Sequence, residues 1–237
     1  MKSLKVVHLG LIDYNSAWTL QKNLSILKMN KQISDVLLLL EHNHVYTIGK
    51  SGDEAHLLAD EEELKAAEVK VYNVDRGGDI TYHGPGQLVG YPILDLNDYY
   101  LDIHRYLRDL EEVIIQTLND FRIKGKREEN YTGVWVSSEK IASIGVKVSR
   151  WITMHGFALN VNTDLSFFNR IIPCGIFHKG VTSMQKILGN NVAMSDVINS
   201  VSKNFSDVFN VETKHIDKDE FLSFINNLSN EKIEYLQ

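Results

Sequence analysis

Arg76 to Gln87 runs RGGDITYHGPGQ, with four glycines, a proline, an arginine and a histidine in twelve residues. Glycine inside a regular element costs backbone entropy and adds no packing. This composition therefore predicts a loop kept for close backbone approach, not a strand or a helix. Apolar runs flank it, VKVYNV (Val69 to Val74) before and LVGYPILDL (Leu88 to Leu96) after, and both read as strands. The loop is expected at the edge of a rigid sheet with its amides available. A plain turn would need neither His83 beside Gly84 and Gly86 nor Arg76 ahead of Gly77 and Gly78.

Outward from this stretch the pattern is a mixture of strands and helices. Upstream, Lys5 to Leu9 reads as a short strand, and Trp18, Leu20, Leu24 and Leu27 fall near helical spacing. DVLLLLEH, Asp35 to His42, reads as a buried strand, a second apolar run ends at Gly49 and Gly52, and Glu61 to Glu68 is charged enough for a surface helix. Downstream, Ile103, Leu107, Leu110, Ile114 and Leu118 trace one face of a helix from about Asp102 to Asp120. A loop crowded with both charges precedes a strand at Gly133 to Val136. From Lys140 the alternation is clean: Lys140, Ala142, Ile144, Val146 and Val148 share one face, and Ile141, Ser143, Gly145 and Lys147 the other. Ser149 and Arg150 suit a turn, and Trp151 to Val161 returns antiparallel, with Gly156, Phe157 and Ala158 opposite the Lys140 strand. Val192 to Val208 and Lys218 to Leu228 read as closing helices. Without βαβ regularity the class is α+β, and without a linker rich in Pro, Gly or Ser residues 1–237 form one domain.

The chain has 237 residues, enough to bury a core without staples. Its single cysteine, Cys174, excludes an intramolecular disulfide and a multi-cysteine metal site and favours a reducing compartment. His8, Asp13 and Asn15 interrupt the N-terminus before a signal-length apolar run forms, so a cytoplasmic protein is expected. A net charge of −6 argues against a nucleic-acid or anionic-membrane partner. An acidic partner would need a local basic patch, for which Lys147, Arg150, Arg170 and Lys179, with Lys124, Lys126 and Arg127, are the candidates.

Cys174 lies in IIPCGI, where Pro173 fixes one side of the thiol and Gly175 admits a backbone or a carbonyl substrate. Such a cysteine is either a presented nucleophile or a small core residue. A free thiol with a pKa of about 8.5 needs a base or cation beside it to react at neutral pH. Lys140, His83, His155 and His178 are the candidates. Lys140 heads an apolar face, where loss of hydration lowers an ammonium pKa, and His83 is the runner-up. No acidic or cysteine ligands accompany the histidines at a metal-binding spacing.

RGGDITYHGPGQLVGYPILDL, KIASIGVKVSRWITMHGFALNVNTDL and IIPCGI, in this order and spacing, resemble the lipoyl(octanoyl) transferases of lipoate biosynthesis. The likeness covers roughly His44 to Lys186; both ends, including the helices from about residue 192, lie outside the motifs. It implies a mixed sheet packed with helices, as in the biotin protein ligase and lipoate ligase catalytic domain. It also implies an acyltransferase that moves octanoyl from octanoyl-acyl carrier protein to a lysine of a lipoyl domain. The acceptors would be the 2-oxoacid dehydrogenase complexes and the glycine cleavage H protein, and the enzyme would act as a monomer without a cofactor. Carried over by position, Cys174 is the acyl-thioester nucleophile and Lys140 the residue that lowers its pKa. The substrate-binding positions are Arg76, Gly77, Gly78, Asp79, Ile80, Thr81, Tyr82 and His83, then Ser143, Ile144 and Gly145, then Gly156, Phe157 and Ala158. Asp79 stands where the family pattern has glutamine or lysine. The competing reading is an ATP-dependent lipoate- or biotin-protein ligase on the same fold, with the glycine-rich loop around an adenylate.

Overall fold

The run Asp35–His42 forms β2, and its unbroken apolar character fits a strand covered on both faces. In the computed structural model, which describes residues 2–172 and 180–228, β2 lies inside an eight-stranded sheet. Leu37 and Leu39 face one core and Val36, Leu38 and Leu40 the other. β1 (Lys2–Ile12) and α1 (Tyr14–Met29) precede β2, and β1 pairs with it in parallel. The expected short first strand is thus longer and belongs to a single β-α-β crossover. α1 starts where the Asp13 side chain accepts from the amides of Asn15 and Ser16, two of the donors that a helix start leaves open.

From β2 to its far edge the large sheet is antiparallel. β6 (Gln87–Ile93), β7 (Lys126–Glu128), β8 (Tyr131–Val136), β9 (Glu139–Ser149), β10 (Ile152–Asn160) and β11 (Val211–Ile216) give the order β11-β1-β2-β6-β10-β9-β8-β7. β11 pairs with β1 in parallel. Besides the short helices α2 (Glu61–Ala66) and α4 (Met184–Leu188), α3 (Ile103–Asp120) and α5 (Met194–Phe209) cover one face, and α1 and α6 (Lys218–Leu228) cover the other. The mixed sheet packed with helices is the expected α+β class.

A second sheet holds β3 (Val45–Ile48), β4 (Lys70–Asn73) and β5 (Ile80–His83) in the order β4-β3-β5. β5 corrects the expectation of an uninterrupted loop over Arg76 to Gln87. The glycines stand at the two ends of that segment, and Ile80, Thr81, Tyr82 and His83 between them are residues that suit a pleated ladder. They pair antiparallel with β3. Residues 76–87 therefore lead from the small sheet into β6 of the large one. The charged loop before β8 likewise contains a strand, β7.

One buried carboxylate fixes the end of the large sheet. Glu111 of α3 is fully buried and accepts from Arg108 Nη1 (2.7 Å), Arg127 Nε (3.0 Å) and the Gly133 amide (3.0 Å). With the Gly133 amide turned to the helix, β8 pairs with β9 only as far as Val134 opposite Ala142. The edge of β9 beyond Ala142 is met instead by the glycine segment, whose Gly77 amide donates to Val146 O at 2.9 Å.

Candidate active site

Where the two sheets meet through the glycine segment, a cavity of about 410 Å³ opens. Its walls are Arg76 to Thr81 and His83 from the glycine segment, Lys140 and Ser143 to Val146 from β9, and His155 to Ala158 from β10. Tyr14, Tyr91, Ile103, Leu107 and Asn130 to Thr132 complete it. Three segments far apart in sequence thus enclose one space, and the β9–β10 register explains two of them: Ser143, Ile144 and Gly145 stand opposite Ala158, Phe157 and Gly156. Small residues keep the walls close. A side chain on Gly145 would come within 2.8 Å of Gly77 O, and one on Gly156 within 2.2 Å of Gly90 O.

Of the described residues that the resemblance marks as catalytic or substrate-binding, all but Tyr82 line this cavity. Tyr82 alternates to the opposite side of β5, where its hydroxyl pairs with His44 Nδ1 at 2.7 Å and its ring stacks on Phe167. Cys174 lies outside the described residues, as do His178 and Lys179. Lys140 is half-buried and lies with Nζ 5.0 Å from the centre of the Trp135 ring. Its main chain binds the segment that follows Cys174: Lys140 N donates to Gly180 O, and Thr182 N donates to Lys140 O, both at 2.9 Å.

The glycine segment is more committed than an open loop would be. Gly77 N is held by Val146 O, and Ile80 N by the Asp79 carboxylate at 2.7 Å. The carbonyls of Arg76, Gly78 and Asp79 accept from Lys50, Ser51 and Gly49. Arg76 is buried as a strut, donating to Thr47 O at 2.6 Å and to Gly77 O at 3.0 Å. Asp79 accepts from His56 at 2.6 Å. The expectation of freely available amides is corrected at Gly77 and Ile80, because buried donors must find acceptors.

The floor is a set of buried aromatic and imidazole rings. His42 donates from Nδ1 to Ile12 O (2.9 Å), so its Nε2 accepts from the Tyr91 hydroxyl (2.8 Å). Burial pulls its pKa down to about 4. Burial also lowers His83 well below its ordinary value, aided by neighbouring His42. His155 has a left-handed backbone (φ 57°) held by Gln21, whose side-chain oxygen accepts the His155 amide at 2.7 Å. Its ring meets Asp75 at 2.8 Å. Burial lowers His155 overall, while His155 first and Lys147 next hold the Asp75 carboxyl well below the usual carboxylate range.

Sequence reasoning passed over Tyr14, Tyr91, Ile103, Leu107 and Tyr131. Tyr91 was legible only as an apolar strand residue. Tyr131 and Ile103 carry a surface signal instead, being large apolar residues left 38% and 40% exposed beside the cavity. The basic patch is smaller than expected: Lys147 pairs with Asp75, Lys126 with Glu128, and Arg127 with Glu111 and Glu112. Among the described residues no group of three His, Cys, Asp or Glu could hold a metal ion, and no helix is long and apolar enough to cross a membrane.

Residues 13–206 match the lipoyl protein ligase A/B catalytic domain family. The octanoyltransferase of Christiangramia forsetii is 46% identical over 231 residues, covering 90% of this chain and 99% of that protein. That of Rubrobacter xylanophilus is 51% identical over 201 residues, covering 84% and 90%. Among solved structures, the bi-partite lipoate protein ligase of Thermoplasma acidophilum superposes with a TM-score of 0.73 at 15% identity, covering 96% of this chain and 92% of that one. A lipoate-protein ligase A bound with ATP gives 0.72 at 16% identity, covering 96% and 94%. At that identity the structural likeness speaks for the fold alone.

Proposed function

The chain belongs to the octanoyltransferases of the lipoyl protein ligase A/B catalytic domain family, and on that premise we propose a two-step transfer through a thioester on Cys174. The donor is octanoyl-acyl carrier protein, and the acceptor is a lysine of a lipoyl domain, as in 2-oxoacid dehydrogenase complexes or the glycine cleavage H protein. Lys140 takes the Cys174 proton, and the thiolate attacks the donor carbonyl and expels the carrier thiolate, which recovers that proton. The acceptor amine then attacks the acyl-enzyme. Exchange between thioesters is nearly balanced, so the first step needs no ATP, and splitting the transfer makes each half easier. The apolar acyl chain lies against Ile144, Val146, Phe157 and Ala158.

The observation that supports this reading is the placement of Lys140. It borders a cavity with small-residue walls, and its own main chain is bonded to the residues that follow the Cys174 segment. Intact-mass measurement after mixing with octanoyl-acyl carrier protein, ATP omitted, tests it. The enzyme should gain one octanoyl group, and Cys174→Ser should give no labile thioester. Transfer that required ATP and survived Cys174→Ala would reject the reading. Lys140→Ala should move the pH profile of thiol alkylation upward, since the thiolate loses its base; an unmoved profile would take that role from Lys140.

A further inference from the structure

His83 sits at the end of a chain of buried side chains whose hydrogen-bond directions are fixed from the far end. Asn160 Nδ2 donates to Thr182 O (3.0 Å), so its Oδ1 is the free acceptor. That oxygen takes Gln87 Nε2 (2.9 Å), which also donates to Tyr82 O (3.2 Å). Backbone carbonyls can only accept, and they leave neither amide free to flip. Gln87 Oε1 therefore faces His83 Nδ1 (2.7 Å) as an acceptor, and the proton of the neutral ring must be on Nδ1. Nε2 is left with a lone pair and no hydrogen-bond partner among the described residues, on a ring that lines the cavity. Asn160, Gln87, Thr182 and His83 are all buried, so water competes little for these bonds.

An imidazole held this way cannot donate to a carbonyl or an oxyanion. It accepts, and the group it faces must carry a proton. Resting on the two-step transfer above, we propose that His83 Nε2 accepts a hydrogen bond from the N–H of the attacking lysine, and that Gln87 and Asn160 are positioning residues that set this tautomer. The bond orients the amine so that its lone pair points at the acyl carbon. As the C–N bond forms the C–S bond breaks, and the surplus proton of the amine passes to the departing Cys174 sulfur. Around His83 stand Tyr14 of α1, stacked at 6.1 Å, and His42 of β2, edge-on at 5.8 Å. Arg76 and His155 add positive or potentially positive groups from the glycine segment and β10. Burial first, then His42, Arg76 and His155, favour the uncharged ring against the opposing Gln87 hydrogen bond, so His83 stays an acceptor throughout the neutral range.

Nitrogen NMR of the ¹⁵N-histidine-labelled wild-type protein reads the tautomer directly, with His83 identified by the signals lost in His83→Gln. Nε2 should be unprotonated at pH 7, and a proton there overturns the proposal. In single-turnover kinetics Gln87→Leu should form the acyl-enzyme at the wild-type rate but transfer it to a lipoyl domain about tenfold more slowly, the scale of one lost hydrogen bond. Equal slowing of both steps, or of neither, overturns it. Gln87→Glu keeps an acceptor at Nδ1 and should restore transfer above neutrality. Because the carboxylate favours the imidazolium, it should add a loss of transfer on the acid side of neutrality that wild type lacks; a profile identical to wild type counts against the proposal. Absence of any acyl-enzyme in wild type would remove the two-step reaction and this proposal together, and the missing mass tells that failure from failure of the tautomer alone.

Discussion

Asp79 shows what a single side chain does in the glycine segment. One carboxylate oxygen accepts the amides of Ile80 (2.7 Å) and Asp53 (3.3 Å), and the other meets His56 Nδ1 (2.6 Å). The carbonyl of His56 in turn accepts the amide of Ile172 at 2.8 Å, just ahead of the segment that carries Cys174. Asp79 thus ties the start of β5 to residues 53–56 and through them to Ile172. Asp79→Ala should cost about 1–3 kcal/mol, because the buried Ile80 amide and the partly buried Asp53 amide lose their acceptor, and Asp79→Asn should recover much of it. Chemical denaturation of both variants checks this, and equal stability of Ala and wild type would show the bonds to be dispensable. None of this was legible in the sequence, where Asp79 stood out only as a departure from a family pattern. Ser143 to Gly145 and Gly156 to Ala158 as substrate positions came from the family resemblance. Lys140 at the head of an apolar face and Gly156 to Ala158 opposite its strand were legible, because two-residue alternation and a tight hairpin fix which residues stand opposite one another. Tyr14 and Tyr91 were not, since a tyrosine that faces a cavity and one that fills a core leave the same trace in a strand or helix pattern.

At the scale of elements, Glu111 controls where β8 leaves the sheet and so where the cavity begins. Its charge is fully buried, and three donors satisfy it. Arg127→Ala leaves that carboxylate with less compensation and should cost on the order of 3 kcal/mol. Glu111→Gln, which keeps the shape and one acceptor, should cost less than Glu111→Ala. Thermal unfolding of the three variants gives the order, and a harmless Glu111→Ala would contradict the clamp. A second element-level test uses β6: a side chain on Gly90 would come within 2.1 Å of the Phe157 ring. Gly90→Ala should push that ring into the cavity and weaken acyl transfer more than it weakens the fold, measured as activity against melting temperature. Most elements were readable because their periodicity is strong, as in α3 and β9. β5 and β7 were hidden, the first by the glycines around it and the second by its charges, since a short strand held by its neighbours needs no apolar pattern of its own.

For the molecule as a whole, buried histidines set the response to acid. His42 has a folded pKa of about 4 against an ordinary 6.5. Its contribution is whole above pH 6.5 and lost as pH falls toward 4, because the unfolded chain binds a proton that the folded one refuses; the loss is about 3 kcal/mol. His83 and His155 are lowered by burial as well and act with the same sign. Asp75, held far below its usual range, adds its own loss only at lower pH. Urea unfolding between pH 7 and 4.5 should show a steep fall that His42→Gln flattens; parallel curves would remove His42 from the account. The overall class was legible because mixed strands and helices without a regular βαβ alternation leave few alternatives. The pairing of β1 with β11 was not, since parallel partners from opposite ends of a chain share no local signal. That pairing sets Lys2 to Val7 against Val211 to Ile216, so β1 leaves a ribosome long before the strand it pairs with is made. During synthesis β1 presents an unpaired parallel edge, the kind of surface on which nascent chains associate. Closure of the large sheet therefore waits for β11, and chaperone occupancy of this chain should persist until residue 216 has cleared the exit tunnel.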